Sequence, residues 1–194
     1  MGYAKLKAKL SIDDYFEGEE MSPVRHEYLY GEVYAMAGVS QNHSRITRNL
    51  LNLLSSHLKD SRCEAYSENL KVQPSAEVFY YPDIVVTCEG DFKNKFVCQE
   101  PKLIIEVTSP STIQIDRREK LFAYQKMACV QEVVVIDQER VKIELHRRLA
   151  DGQWITYFFS DTDTELDFQS VGMNLDVSAV YSRVTFVPEP ALEH

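Results

Sequence analysis

The chain is poor in residues that interrupt or staple a fold. Its 194 residues include seven glycines, seven prolines, four cysteines and one tryptophan. So few breakers leave no room for a disordered block or a long linker. The cysteines, Cys63, Cys88, Cys98 and Cys129, form no C-x-x-C pair. The last three lie in or beside apolar runs, where a reduced cysteine behaves as a small hydrophobe. Neither a zinc site nor a disulfide framework is expected. No apolar run approaches the ~20 residues that cross a bilayer, and Met1 to Ile12 lacks the hydrophobic stretch of a signal peptide. The expectation is a cytoplasmic protein with no membrane partner, in which the Asn42-His43-Ser44 sequon carries no weight. Positive charge is also short: 21 Lys and Arg against 30 Asp and Glu give a net charge of −9. That sign does not suit a protein that grips polyanions through a general field. Nucleic-acid binding must then be local, weak or absent.

What the chain does have is 44% hydrophobic content, enough for one substantial core. A single domain over residues 1–191 is expected, with Leu192-Glu193-His194 read as a tag remnant.

Ser11-Ile12-Asp13-Asp14 carries the capping serine and acid of a helix start, for a short helix to about Glu17. Arg25 to Met36 reads as a strand, a Tyr30-Gly31 turn and a returning strand. Ile46, Leu50, Leu53, Leu54 and Leu58 then mark an apolar helical stripe beginning near Asn42, with Arg45, Arg48 and Asn52 off it. Strands are expected around Glu64 to Val72, Asp83 to Cys88 and Lys102 to Val107. The last two are continuously apolar, as central strands are. Ser109-Pro110-Ser111-Thr112 offers a break and a cap, after which Ile115, Leu121, Phe122 and Met127 mark a helix to about Ala128. Val133 to Asp137 is another buried strand. Val141 to Leu145, an Asp151-Gly152 turn and Trp154 to Phe159 form a hairpin, and a short helix over Asp176 to Tyr181 closes the order. The sum is an α/β chain of the α+β type, a mixed central sheet flanked by helices.

The chemistry concentrates on Asp83, which opens one apolar strand, and Glu106, near the end of the next. If those strands run antiparallel, the carboxylates converge. Adjacent carboxylates repel unless a cation lies between them, and magnesium prefers such oxygen ligands with waters retained. The Val107 carbonyl would complete the site. Asp116, Lys120 and Tyr124 recur at four-residue spacing and share a helix face. From there Lys120 would orient a nucleophilic water or stabilise a phosphoryl transition state. His43, in line with Ile46 and Leu50, points inward towards the site, and Glu27 and Glu32 on the early hairpin are further acids. Each residue alone has a plainer reading: Pro82-Asp83 as turn chemistry, Lys120 as a solvated helix face, His43 as a helix-start residue. Glu106 among Ile104, Ile105 and Val107 does not, because an unpaired charge there is costly.

The string from Arg25 to Gly38, then His43, Pro82-Asp83, Glu106-Val107-Thr108-Ser109-Pro110-Ser111-Thr112, Asp116-Arg117 and Lys120-Leu121 through Tyr124 resembles the Uma-type restriction-endonuclease family. The likeness runs over nearly the whole chain, and that family is similar in fold to the PD-(D/E)XK nucleases. The resemblance implies a restriction-endonuclease-like core, with Asp83 and Glu106 as metal-binding acids for magnesium or manganese. It implies a nucleic-acid phosphodiester substrate, DNA ahead of RNA. It also places Lys120 as the catalytic lysine moved onto the helix, since Thr108 fills the usual lysine position, with His43, Glu32 and Tyr124 in support. The rival is a non-catalytic nucleic-acid- or protein-binding regulator on the same scaffold. A nuclease needs a basic cleft, for which Arg45, Arg48, Arg117, Arg118, Lys120 and Lys126 are the candidates. A homodimer would line such a cleft from both chains.

Overall fold

The structure is a computed structural model that describes residues 9–67, 69–108 and 116–186, with the side chains of 116 and 117 left aside. The expected break and cap over Ser109 to Thr112, Ile115 and the C-terminal tag remnant lie outside the described residues.

Helix α1 (Ile12–Met21) starts on Ser11, whose hydroxyl accepts the Asp14 N–H. It outruns the expected end at Glu17 and stops before Pro23, which disfavours helical geometry at Ser22. Strands β1 (His26–Leu29) and β2 (Glu32–Ala35) form the expected hairpin. Its turn residues Tyr30 and Gly31 both take positive φ, 51° and 94°, the geometry that matches strand twist in a two-residue turn. Helix α2 (Gln41–Leu58) is capped by Ser40 and buries Ile46, Leu50, Leu54 and Leu58, with Thr47 beside them.

The expected strand from Glu64 to Val72 is in fact two strands. β3 (Glu64–Ser67) and β4 (Lys71–Ser75) lie in different sheets. β5 (Val78–Tyr80) and β7 (Val97–Cys98) are too short for the sequence pattern to reveal; β6 (Ile84–Thr87) and β8 (Pro101–Thr108) are the expected apolar pair. Then come α3 (Asp116–Lys126), β9 (Glu132–Asp137), β10 (Ile143–Arg148), β11 (Trp154–Phe159), β12 (Glu165–Phe168), β13 (Met173–Asp176) and α4 (Val177–Val180).

The six-stranded sheet, ordered β11-β10-β9-β8-β6-β3, is mixed: β8 and β9 run parallel and the other neighbours antiparallel. The period of two assigns its faces. Leu103, Ile105, Val134 and Ile136 pack with α2, α4 and the β12–β13 ribbon. Val85, Ile104 and Val133 pack with Tyr124 of α3, with Met127 just after it, and with Val72 and Tyr80 of the five-stranded sheet. That second sheet, ordered β2-β1-β5-β4-β7, carries the hairpin to the α3 side.

One expectation is overturned. Cys63 and Cys88 form a disulfide. The β3–β6 register pairs Glu64 with Thr87, so the two cysteines face each other one step beyond the ladder. Sequence spacing carries no trace of that pairing. Cys98 and Cys129 remain free thiols, and burial pushes the Cys98 thiol up to about 12.

Candidate active site

The β6–β8 ladder is antiparallel and pairs Ile84 with Ile105. One step further, Asp83 comes across from Glu106. Both alternate onto the face of Val85 and Ile104, the face that packs against α3. The two carboxylates therefore meet where the helix passes over the strand ends.

Each acid is held. Asp83 Oδ2 accepts the Val107 N–H at 2.6 Å, and Asp83 Oδ1 lies 3.0 Å from His43 Nε2. His43 reaches this point from the first turn of α2, so it comes from the opposite face of the sheet. Glu106 Oε1 accepts the Tyr124 hydroxyl at 2.8 Å. Lys120, one turn before Tyr124 on α3, lies with Nζ 2.6 Å from Glu27 Oε1 and 5.4 Å from the Tyr80 ring centroid. Glu27 also accepts the Tyr81 N–H at 3.3 Å.

These side chains open on one pocket of about 600 Å³. The hairpin supplies its apolar rim through Tyr34 to Val39, and α3 supplies the other wall. The charge inside is unbalanced: Glu27, Asp83, Glu106 and Glu119 line it against the Lys120 ammonium. Burial chiefly, and then the Asp83 and Glu27 carboxylates, push the Glu106 carboxyl up to about 8; Lys120 and the Tyr124 hydrogen bond oppose the rise. Burial and the Glu106 charge likewise raise the Tyr124 phenol well above its ordinary value. Crowded carboxylates of this kind favour either a proton or a cation between them.

A hard dication fits the donor set. Asp83 and Glu106 supply carboxylate oxygens that line the pocket. The N–H and C=O of a strand residue point to the same side, so the Val107 carbonyl shares the direction of the N–H that meets Asp83. Among the described residues no group of three or more His, Cys, Asp or Glu is placed to enclose an ion. Two carboxylates, a carbonyl and waters are a magnesium-like set, since that ion retains much of its hydration.

Asp83, Glu106, Val107, Lys120, Tyr124 and His43 are thus brought together. Glu32 is not: it lies exposed on β2, accepting the Tyr34 hydroxyl, outside the pocket lining. Glu27 takes the hairpin acid's place there. The sequence signal for it was its position inside a strand, between His26 and Tyr28; the strand period put Glu27 and Glu32 on equal footing until the sheet packing chose. Of the six candidate cations, Lys120 lines the pocket, Arg45, Arg48, Arg118 and Lys126 do not, and the Arg117 side chain is not described.

The family model for Uma2, described as "Putative restriction endonuclease", matches residues 12–178. The chain belongs to the Uma2 family. An uncharacterized protein of Synechocystis sp., slr1290, is 34% identical over 180 residues, covering 92% of this chain and 94% of that protein. A second from the same organism, sll1609, is 29% identical over 163 residues, covering 82% and 92%. Among solved structures, a putative nuclease of DUF820 from Anabaena variabilis matches with a TM-score of 0.72 and 19% identity, covering 89% of this chain and 98% of that one. This Uma2 chain therefore has the mixed α+β fold expected of it. Among the described residues no helix is long and apolar enough to cross a membrane.

Proposed function

We propose that this chain is a metal-dependent endonuclease that hydrolyses nucleic-acid phosphodiester bonds, with DNA the preferred substrate. The observation that carries the reading is the meeting of Asp83 and Glu106 across one ladder, in a pocket that also holds Lys120. Asp83, Glu106 and the Val107 carbonyl would hold magnesium, with manganese as a substitute. When bound, that ion supplies Lewis-acid activation of water and neutralises phosphate charge. The chain's own residues do the rest. Lys120 orients the attacking water and stabilises the charge that builds on the phosphoryl oxygens. Glu27 fixes the ammonium at the pocket wall, Tyr124 fixes the Glu106 carboxylate, and His43 with the Val107 N–H fixes Asp83. The preference for DNA rests on the family description.

A second reading, a non-catalytic binding protein on the nuclease scaffold, is favoured by one observation: an acid-rich pocket lined, among the described residues, by a single one of the candidate cations. Purified protein with Mg²⁺ or Mn²⁺, incubated with single- and double-stranded DNA and with RNA, separates the two. Cleavage that falls by at least ~10²-fold in Asp83→Ala and Glu106→Ala supports the nuclease. Cleavage that survives Asp83→Ala overturns it, and nucleic-acid binding without cleavage supports the second reading.

A further inference from the structure

The edge strands of the two larger sheets differ in how they meet solvent. β2 carries Glu32, β3 carries Glu64, and β7 is two buried residues. β11 is six residues long, Trp154-Ile155-Thr156-Tyr157-Phe158-Phe159, with no charge, proline or glycine. Charges, prolines and short length are the usual means by which an edge resists pairing with another chain. β11 has none of them.

Its outward side can be read from the hairpin. Leu149 N–H bonds to Gln153 C=O, and β10 pairs Arg147 with Ile155 and Leu145 with Tyr157. By alternation, residues 153, 155, 157 and 159 direct their backbone groups inward to β10. Trp154, Thr156 and Phe158 direct theirs outward, and among the described residues no strand pairs with that side. Phe158 is 70% exposed, Ile155 41% and Tyr157 38%. The other rings are already set: the Arg148 guanidinium stacks 4.7 Å from the Trp154 centroid and Arg147 lies 5.2 Å from that of Tyr157.

We propose that β11 is the seam of a homodimer, in which two copies pair antiparallel about a two-fold axis at Thr156. The occupant follows from the pattern. The outward residues read aromatic, threonine, aromatic, so an antiparallel copy sets Trp154 against Phe158, Thr156 against Thr156 and Phe158 against Trp154. On the other face Ile155 meets Tyr157. Aromatic and β-branched cross-strand pairs are the favourable ones, and the outward N–H and C=O groups would close about six backbone hydrogen bonds. Two copies at −9 each repel, and β11 itself adds no charge to that repulsion. The same register sets Asp151 across from Asp161 at each end of the seam. Association therefore tightens as salt screens that pair.

Sedimentation velocity on the full chain at tens of micromolar tests this, at low and moderate salt. The wild type is expected at twice the chain mass, with a Kd that falls as salt rises. Phe158→Lys and Thr156→Pro should each be monomeric with unchanged circular dichroism; residue 156 directs its N–H outward, so proline there spares the β10 ladder. Thr156→Cys should cross-link into a dimer on oxidation, on a non-reducing gel, where the wild type does not. A monomeric wild type overturns the proposal. So does a dimer that persists in both Phe158→Lys and Thr156→Pro, or a Thr156→Cys variant that stays uncross-linked while dimeric.

Discussion

The Lys120 ammonium lies 2.6 Å from the Glu27 carboxylate, and both side chains are almost closed off from solvent, at 14% and 10% exposure. Removing one side chain takes this close counter-charge from the other, which costs about 3 kcal/mol at such depth. Lys120→Met should lose about that much stability, while Glu27→Gln combined with Lys120→Met should recover most of it. A denaturant double-mutant cycle measures the coupling; additive single losses would show that the pair contributes nothing. In the nuclease reading, Lys120→Met also lowers cleavage by ~10²-fold or more, and the stabilised double variant stays inactive.

Glu106 gives the pocket a pH signature. Its carboxyl is raised from 4.5 to about 8 in the folded chain, so the folded state holds a proton that the unfolded chain has released. The stability this contributes is complete below pH ~4.5 and is lost as pH rises through about 8. The ion-free protein should therefore show a Tm that falls over that window, and Glu106→Gln should flatten the fall. In the nuclease reading magnesium would have to displace the proton, so its affinity should rise roughly tenfold per pH unit up to about 8 and then level. Titration calorimetry in buffers of different ionisation heat counts the proton; a pH-independent affinity would contradict the assignment.

Lys71 is a second buried charge, 4% exposed, with four aromatic rings around its ammonium: Tyr81 at 4.9 Å, Phe16 at 5.1 Å, Tyr15 and Phe96 each at 5.7 Å. Burial lowers its pKa to about 8, with Glu19 opposing. The folded value lies below the unfolded 10.5, so between those values the unfolded chain binds more protons and this group's contribution to stability rises with pH. Relative to Lys71→Met, the wild type should be weakest below pH 8 and close the gap towards pH ~10.5. Paired thermal melts in one buffer series check it, and a gap constant with pH would refute the burial argument.

The Cys63–Cys88 bond closes a loop of 25 residues, for which chain entropy gives a stabilisation of about 3 kcal/mol. Cys63→Ser with Cys88→Ser should melt lower by roughly 6–12 °C at this chain size. Equal melts of the oxidised and reduced wild type would remove that role for the bond.

How much of this was legible in advance follows from the range of each interaction. The hairpin turn at Tyr30-Gly31, the capped stripe of α2 and the apolar runs of β6, β8 and β9 are local patterns, and each forms where its residues say. Glu64 to Val72 was misread because β-propensity says nothing about which sheet a strand joins, and the chain changes sheets within that run. Asp83 and Glu106 were readable as a pair because their strands are consecutive in the central sheet apart from the two-residue β7. The Glu27–Lys120 contact joins β1 of the five-stranded sheet to α3. No periodicity reports it, so Glu27 could not be ranked above Glu32. The Cys63–Cys88 bond was hidden likewise, since only the β3–β6 register makes those cysteines neighbours.

The antiparallel step that sets Asp83 across from Glu106 also limits how this chain can vary. Between the disulfide at Cys88 and the start of β7, the segment joining β6 to β8 can lengthen or shorten without shifting the register of either carboxylate. Within the strands, inserting one residue between Asp83 and Val85 would turn Asp83 towards α2 and leave Glu106 facing α3. Only paired insertions keep both acids on one face. Length variation among relatives should therefore gather between Glu89 and Lys95 and spare the strands, a bias that comes from pleat geometry before any chemistry is considered.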